Sequence, residues 1–166
     1  MQKIIFLFKA LLIVLTTIVL SSFSMSAALL GNKRIFFPAC RLWSRLMLKI
    51  VGVVVNNNMT IPNGNYVYIA NHSSLFDIPI LLANLPGNVK IIYKKELKII
   101  PFFGWALALS PYIGIERTNG RDSMNGINHA VESMQDGDSV IVFAEGTRSL
   151  DGSVGEFKRG AFFLAM

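Results

Sequence analysis

The chain of 166 residues is poor in cysteine, histidine and charge, and each shortage argues against a class of protein. Its single cysteine, Cys40, cannot form a disulfide within the chain, which excludes a small secreted domain stapled by disulfides. Its two histidines, His72 and His129, lie far apart in the sequence, so a zinc site is not expected and no metal is predicted. Charged residues make up 16% of the chain, against about 25% in ordinary soluble domains. The remaining composition, 52% hydrophobic with a mean hydropathy of +0.49, is typical of a membrane-associated protein.

Several sequence motifs of nucleotide-binding proteins and hydrolases are also absent. There is no P-loop and no G-x-G-x-x-G, so no common nucleotide phosphate-binding loop is predicted. There is no G-x-S-x-G elbow, so Ser73 and Ser74 have little support as the nucleophile of a serine hydrolase.

Acidic residues are absent from the first part of the chain, where Asp77 is the first acid. The bases that precede it are Lys3, Lys9, Lys33, Arg34, Arg41, Arg45 and Lys49. The net charge of +6 and the pI near 9.7 fit binding to nucleic acid or to anionic lipid. Because the excess of base flanks the most apolar stretch, we expect contact with membrane lipid headgroups and no nucleic-acid partner. Scattered solubilising charge is the alternative.

A long uncharged run lies between Lys9 and Lys33. A helix needs roughly 20 apolar residues to cross the hydrocarbon core of a bilayer, so the run predicts an N-terminal membrane helix. A cleaved signal peptide is the alternative, because Lys3 precedes the run and small residues lie near Ser26 and Ala27. The length of the run and the position of Lys9 argue against cleavage. More bases follow the run than precede it, which favours a cytoplasmic location for the rest of the chain.

The next stretch, CRLWSRLMLKI, predicts a basic amphipathic helix. Arg41, Arg45 and Lys49 recur at every fourth position beside a stripe of apolar residues. Such a helix can lie in the membrane interface with its bases reaching lipid phosphates. A helix that faces a protein core and exposes its basic side is the alternative. We therefore divide the chain into an N-terminal membrane helix plus amphipathic helix, residues 1–50, and a second domain, residues 51–166.

Short β-like runs alternate with helical ones after residue 50, which predicts an α/β fold with a mixed sheet and flanking helices. The five predicted strands are residues 51–55, 66–70, 89–93, 112–116 and 139–144. A helix between the last two strands would place Met124, Ile127, Val131 and Met134 on one face and end near Gly137.

A polar motif follows the second predicted strand, in YIANHSSLFDIP (residues 68–79). On a regular helix His72 and Asp77 would lie about 140° apart, so only a tight turn can bring them together. Asp77 followed by Pro79 is typical of a helix N-cap with proline in the first turn. A carboxylate bonded to one imidazole nitrogen leaves the other free as a base towards a hydroxyl. The alternative is that Asp77 only caps a helix and His72 is an ordinary loop residue.

A second polar cluster follows the last predicted strand, where Ala144 is followed by EGTRS. It offers an arginine fork, hydroxyls and a glycine that lets backbone N–H groups approach an anion. Arg117 stands at the end of another predicted strand. Because loops at the carboxyl ends of strands converge on the ligand crevice of an α/β sheet, we expect His72, Arg117 and Arg148 to face one site. Taken singly, each arginine is better explained as a surface residue.

Together these stretches resemble the glycerolipid (lysophospholipid) acyltransferases. NHSSLFD matches their N-H-x-x-x-x-D motif, GIER a second motif centred on an arginine, and FAEGTRS their E-G-T-R motif. KKELKIIPFFGW and FKRGAF are similar to connecting stretches of the family. The resemblance runs from about Val51 to the end and is greatest to members that acylate 1-acylglycerol-3-phosphate. A fourth motif would follow Met166, and the chain stops in a helix-like stretch with no cap, so we expect an incomplete domain.

The resemblance implies transfer of a fatty acyl group to the free hydroxyl of lysophosphatidic acid, giving phosphatidic acid in phospholipid synthesis. The donor would be acyl-CoA or acyl carrier protein, with no cofactor beyond that thioester. His72 would be the general base and Asp77 its orienting partner. The substrate-binding residues implied are Asn71, Arg117, Glu145, Gly146, Thr147 and Arg148. A carboxylate beside a phosphate is repelled, so we expect Glu145 to bond the acceptor's hydroxyl or to orient an arginine.

Two kinds of alternative remain at the level of sequence. Within the same chemistry, the acceptor could be glycerol-3-phosphate, another lysophospholipid or a lyso-aminolipid, although an acceptor without phosphate would leave Arg117 and Arg148 without an anion. In a different class, the chain could be a non-catalytic lipid-binding membrane protein whose His-Asp turn serves structure only. In the favoured interpretation the protein lies in the membrane, with its site on the cytoplasmic side.

Overall fold

The computed structural model describes residues 1–58, 60–116, 128, 132, 137–159 and 162. The chain forms two compact units. The helical unit contains Met1–Met59, Ile78–Leu85 and Lys98–Pro111, and the sheet unit contains Thr60–Asp77, Pro86–Leu97 and Tyr112–Met166. The predicted division at residue 50 stays a prediction. The helix predicted around Met124 to Met134 lies outside the described residues.

Four α-helices are described, and strands alternate with helices along the chain after the second of them. The helices are α1 (Gln2–Leu29), α2 (Phe36–Val51), α3 (Asp77–Asn84) and α4 (Phe103–Leu109), with 3₁₀ turns at Lys33–Ile35 and Lys95–Ile99. The predicted N-terminal apolar helix is therefore present and extends through Lys9 to the start of the chain. It is long and apolar enough to cross a membrane, a test that signal sequences also pass.

Two polar side chains of α1, Lys9 and Thr17, are bonded within the helical unit, where α1 packs against α2 and α4. Lys9 Nζ donates to the carbonyl of Val51, the last residue of α2, at 3.1 Å. The Trp43 indole N–H donates to the hydroxyl of Thr17 at 3.0 Å. The buried positions of α1 are Ser21 and Ser24, whereas many of its large apolar side chains are exposed. Buried serines beside exposed large apolar side chains are the reverse of what a helix in a water-soluble core shows.

A four-stranded sheet forms the sheet unit. Its strands are β1 (Val67–Ala70), β2 (Val89–Lys94), β3 (Ile113–Ile115) and β4 (Ser139–Phe143), in the spatial order β1-β4-β2-β3. Four of the five predicted strands are thus confirmed to within about two residues. Every described pair is parallel, whereas we expected a mixed sheet. An antiparallel neighbour can follow a short hairpin, but α3 separates β1 from β2 along the chain and α4 separates β2 from β3.

The fifth predicted strand, residues 51–55, is wrong. Val51 ends α2, and Gly52 takes the left-handed conformation, with φ of 91°, that closes many helices. The N–H groups of Gly52 and Val53 both donate to the carbonyl of Leu48, at 2.9 Å each. Residues 53–58 form neither helix nor strand. The valines have β propensity, but that propensity reflects packing against a neighbouring strand more than the backbone itself.

The core of the sheet unit is centred on β4, which lies between β1 and β2. Val140 and Ile141 are 0% and 1% exposed, as expected for an apolar run on an inner strand of a parallel sheet. At the amino-terminal edge, the Lys90 ammonium and the Asp138 carboxylate form a buried ion pair at 2.8 Å. The opposite edge, where the strands end, carries the predicted polar motifs.

Candidate active site

The predicted motifs leave the sheet side by side, because β1 and β4 are parallel neighbours. The last residue of β1, Ala70, is in register with the last residue of β4, Phe143. The Ala144 N–H continues the ladder by donating to the carbonyl of Ala70 at 3.1 Å. The loops that begin at Asn71 and Glu145 therefore start from adjacent points on the carboxyl edge of the sheet.

A tight turn joins His72 to Asp77, as the sequence predicts. One carboxylate oxygen of Asp77, Oδ2, lies 2.8 Å from Nδ1 of the His72 ring. The same oxygen accepts the backbone N–H groups of Ser73 and Ser74, each at 2.8 Å. The carboxylate at the first residue of α3 thus reaches back to the residues that precede it. Asp77 therefore does more than cap the helix, because it also bonds the His72 ring.

Asp77 is held in its ionised form. Partial burial raises its pKa, but hydrogen bonds from the His72 ring and from the Ser74 and Ser73 N–H groups outweigh that effect and leave the pKa below its ordinary value. An ionised carboxylate can only accept, so Nδ1 of His72 carries the proton in this pair. In the neutral imidazole the lone pair then lies on Nε2, the nitrogen on the far side of the ring.

The His72 ring is fixed by stacking as well as by hydrogen bonding. It lies on the ring of Phe143, with the centroids 4.0 Å apart and the planes 18° from parallel. The His72 side chain is 14% exposed, so the imidazole is shielded without being sealed off. Phe143 was not predicted as a site residue, and its only sequence signal is its place at the end of β4, two residues before Glu145.

Glu145 is buried and connects two loops through its carboxylate. Oε1 accepts the backbone N–H of His72 at 2.8 Å, and Oε2 accepts the backbone N–H of Gly155 at 3.1 Å. The residue is 6% exposed. The sequence-based expectation of a bond to the acceptor's hydroxyl or to an arginine stays a prediction; the bonds that the structure shows are to two backbone N–H groups. The geometry supports a role in positioning His72.

The EGTR turn sits against the His72 loop. Gly146 has φ of 73°, in the left-handed region that favours glycine. Beyond the turn, the Ser149 N–H donates to the carbonyl of His72 at 2.7 Å. With Glu145 bonded to the N–H of the same residue, the backbone of His72 is held on both sides. Thr147 and Arg148 are exposed, as ligand-binding side chains at the mouth of a site would be.

The following loop is organised by Asp151. Its Oδ1 accepts the Ser153 hydroxyl at 2.6 Å, the Ser153 N–H at 3.0 Å and the Ser149 hydroxyl at 3.0 Å. These bonds lower the pKa of Asp151 to about 2. These hydrogen bonds hold the loop that leads to the segment containing Gly155 and Lys158.

The predicted site residues are partly brought together. His72, Asp77 and Glu145 form one hydrogen-bonded cluster, Gly146 follows Glu145 in the adjoining turn, and Asn71 is exposed next to it. The predicted contribution of Arg117 lies outside the described residues. Sequence reasoning missed Lys158, whose side chain lies against Gly146. Its signal was the stretch FKRGAF, recognised only as a connecting segment.

Comparison with known proteins gives consistent similarities. The sequence profile of a family described as Acyltransferase matches residues 52–166. The chain is 39% identical over 99 residues to the chloroplast 1-acyl-sn-glycerol-3-phosphate acyltransferase LPAT1 of Arabidopsis thaliana, covering 60% of this chain and 28% of the relative. It is 33% identical over 135 residues to the 1-acyl-sn-glycerol-3-phosphate acyltransferase of Saccharomyces cerevisiae, covering 80% and 43%.

A solved structure is also similar. The crystal structure of the 1-acyl-sn-glycerophosphate acyltransferase PlsC from Thermotoga maritima matches with a TM-score of 0.65 and 25% sequence identity. The match covers 95% of this chain and 70% of that one. The chain spans less than half the length of the two sequence relatives named above.

Proposed function

This chain belongs to the acyltransferase family, and on that premise we propose that it transfers a fatty acyl group to the free hydroxyl of 1-acylglycerol-3-phosphate. The product is phosphatidic acid, an intermediate of phospholipid synthesis. The names of the relatives support this acceptor, since the plant, yeast and Thermotoga proteins are all named for it.

The observation that carries the proposal is the hydrogen bond of 2.8 Å between Nδ1 of His72 and the ionised Asp77. A hydroxyl is a poor nucleophile at neutral pH, and a positioned base contributes roughly 10²–10⁴-fold to its reaction. Asp77 fixes the tautomer, stacking on Phe143 fixes the ring plane, and the bonds to Glu145 and Ser149 fix the backbone. Because Asp77 bonds Nδ1, Nε2 is left as the basic atom.

The reaction then needs no covalent intermediate on the protein. The acceptor's hydroxyl oxygen attacks the carbonyl carbon of the thioester while Nε2 of His72 takes the hydroxyl proton. The new C–O bond forms, the C–S bond breaks, and the proton passes from the imidazolium to the departing sulfur. The products are an ester and a free thiol. Asp77 stabilises the imidazolium that exists between these steps.

The acceptor's phosphate is assigned to the EGTR turn. Arg148 offers a planar fork of N–H donors that matches a phosphate, and the exposed Thr147 adds a hydroxyl. Gly146 gives a turn with no side chain between the anion and the backbone. Arg117 stays a predicted second guanidinium. Since the turn is bonded to His72 through Glu145 and Ser149, a phosphate bound there is held at a fixed distance from the base.

The donor is proposed to be acyl-CoA or acyl carrier protein, and no further cofactor is invoked. Chemistry at a positioned imidazole requires only the thioester and the hydroxyl, which both arrive as substrates.

We place the protein at a membrane, where the lipid acceptor and product reside. The polar groups of Lys9 and Thr17 are bonded within the helical unit, so α1 turns apolar side chains outwards. Those that are more than half exposed include Ile4, Phe6, Leu7, Leu11, Val14 and Val19. Soluble proteins rarely expose such a continuous apolar surface. Recovery of the full chain in the soluble fraction of cells, without detergent, would contradict this placement.

A cytoplasmic position for the site stays a prediction that rests on the bases after the apolar run. Protease treatment of sealed vesicles of known orientation tests it, because a cytoplasmic sheet unit is cleaved only when the cytoplasmic face is outward.

The proposed activity is tested with purified protein, a labelled acyl-CoA and a panel of acceptors in mixed micelles. The panel contains lysophosphatidic acid, glycerol-3-phosphate, lysophosphatidylethanolamine and a monoacylglycerol. We expect lysophosphatidic acid to give the highest kcat/KM and labelled phosphatidic acid as product. Preference for another acceptor would reassign the substrate, and no transfer to any acceptor, with acyl carrier protein also supplied as donor, would favour a lipid-binding role without catalysis.

A further inference from the structure

The side chain of Lys158 lies over the glycine of the EGTR turn. A Cβ atom placed on Gly146 would be 3.0 Å from Lys158 Nζ and 3.3 Å from its Cδ. Position 146 is therefore restricted in two ways, by its φ of 73° and by the lysine that occupies the space above it. The ammonium group stands at the turn where the acceptor's phosphate is assigned.

The fold holds Lys158 in this place through its backbone. The Lys158 N–H donates to the carbonyl of Ala144 at 2.8 Å. Three residues earlier, the Gly155 N–H donates to Oε2 of Glu145 at 3.1 Å. The segment from Gly155 to Lys158 is thus held at two points by the residues that follow β4, so the fold positions the backbone from which the lysine side chain extends.

The surroundings of the Lys158 ammonium favour an anion. Among the residues that the structure describes, the ion pairs of lysine involve Lys90, Lys94 and Lys95 and do not include Lys158. Glu145, the nearest acid along the turn, directs its two oxygens to the backbone N–H groups of His72 and Gly155. Arg148 follows two residues after Gly146. The turn therefore combines an exposed guanidinium with an ammonium that has no paired carboxylate in the described part of the chain.

We propose that Lys158 is a further acceptor-binding residue, whose ammonium binds the phosphate of the acceptor together with Arg148. This inference rests on the proposed function and deepens it by adding a cation that the recognised motifs do not contain. The two cations differ in kind, because the guanidinium orients the phosphate through a planar fork whereas the ammonium acts as a compact point charge. Lys158 binds the anionic end of the acceptor and takes no part in proton transfer.

The test compares Lys158→Met, which removes the charge and keeps much of the side-chain length, with wild-type protein. Two acceptors with the same acyl chain are used, lysophosphatidic acid and the monoacylglycerol that lacks its phosphate. A charge-assisted contact of this kind is worth about tenfold to 100-fold in binding. We expect KM for lysophosphatidic acid to rise by that factor, kcat to stay within about threefold, and the kinetics with monoacylglycerol to change little.

Two further variants make the result specific. Arg159→Met removes the neighbouring exposed cation and should behave as wild type, which separates the position of Lys158 from the general charge of the segment. Lys158→Arg keeps the charge and should restore most of the affinity. A loss with Lys158→Met that is equal for both acceptors would overturn the inference, because a structural role does not depend on the phosphate.

Calorimetric binding of lysophosphatidic acid without donor gives a readout that does not depend on turnover. A dissociation constant that rises about tenfold or more in Lys158→Met supports the inference even if the wild-type protein transfers no acyl group. An unchanged dissociation constant and KM, in a wild-type protein that does make phosphatidic acid, overturns the role of Lys158 and leaves the proposed function standing.

Discussion

At the scale of single residues, the site depends on where one carboxylate oxygen points. Oδ2 of Asp77 accepts three hydrogen bonds at 2.8 Å, from the His72 ring and from two backbone N–H groups. The backbone bonds fix the carboxylate, and the carboxylate fixes the imidazole. A histidine with the same place in the sequence but no such partner would be free to take either tautomer.

The lowered pKa of Asp77 makes a prediction about stability and pH. A carboxyl group whose pKa is lower in the folded than in the unfolded state stabilises the fold above the unfolded value, and this contribution is lost as pH falls through the folded value. Asp77→Asn should therefore lower the melting temperature at neutral pH, and the gap from wild type should shrink in acid. Thermal unfolding in detergent across a pH series measures this difference in melting temperature. A difference that stays constant with pH would contradict the lowered pKa of Asp77.

At the scale of elements, Glu145 connects the loop after β1 to the segment that follows the EGTR turn. Its two oxygens bond the N–H groups of His72 and Gly155, which are 73 and 10 positions away. The carboxylate is buried and accepts at both oxygens. Replacing one oxygen with an NH₂ group, which donates, would leave a backbone N–H unsatisfied, at a cost of about 1–3 kcal/mol.

Glu145→Gln should therefore lower both stability and turnover, since the amide presents an NH₂ group to one of the two backbone donors. We expect kcat to fall by about tenfold or more, with a smaller change in KM for the acceptor, because the base is displaced while Arg148 is untouched. The matched control is Glu156→Gln, an exposed acid on the same segment. Equal kinetics of the two variants would show that Glu145 does not position His72.

The elements also explain which sequence predictions failed. The strand predicted at residues 51–55 rested on β-branched residues, but Gly52 closes α2 and leaves the valines outside the sheet. The α/β fold is confirmed, and the parallel direction of the described strand pairs could not be predicted because the hydrophobic pattern of one strand does not encode its direction. Strands β1, β2 and β4 were found because each is a short apolar run bounded by turn residues.

At the scale of the whole molecule, local and distant contacts differ in how far the sequence predicts them. His72 and Asp77 are close in sequence, so a turn between them follows from spacing and from Pro79. The bond from Glu145 to the His72 N–H depends on β1 and β4 being parallel neighbours in register, which only the fold determines. Lys158 was missed for the same reason, since its contact with Gly146 requires the chain to return across the end of β4.

The membrane assignment likewise gains from the structure. Composition and length predict an apolar N-terminal helix, but only the structure shows that two of its polar residues, Lys9 and Thr17, bond to α2. An unsatisfied polar group in lipid costs several kcal/mol. The bonds of Lys9 and Thr17 within the helical unit avoid that cost.

The most direct test of the central claim is the rate of acyl transfer to lysophosphatidic acid by His72→Ala, compared with wild-type protein under identical conditions. If Nε2 of His72 is the base, kcat/KM should fall by at least about 10²-fold, and calorimetric binding of the acceptor should change little. A variant that retains acyl transfer within about threefold of wild type would contradict the assignment of His72.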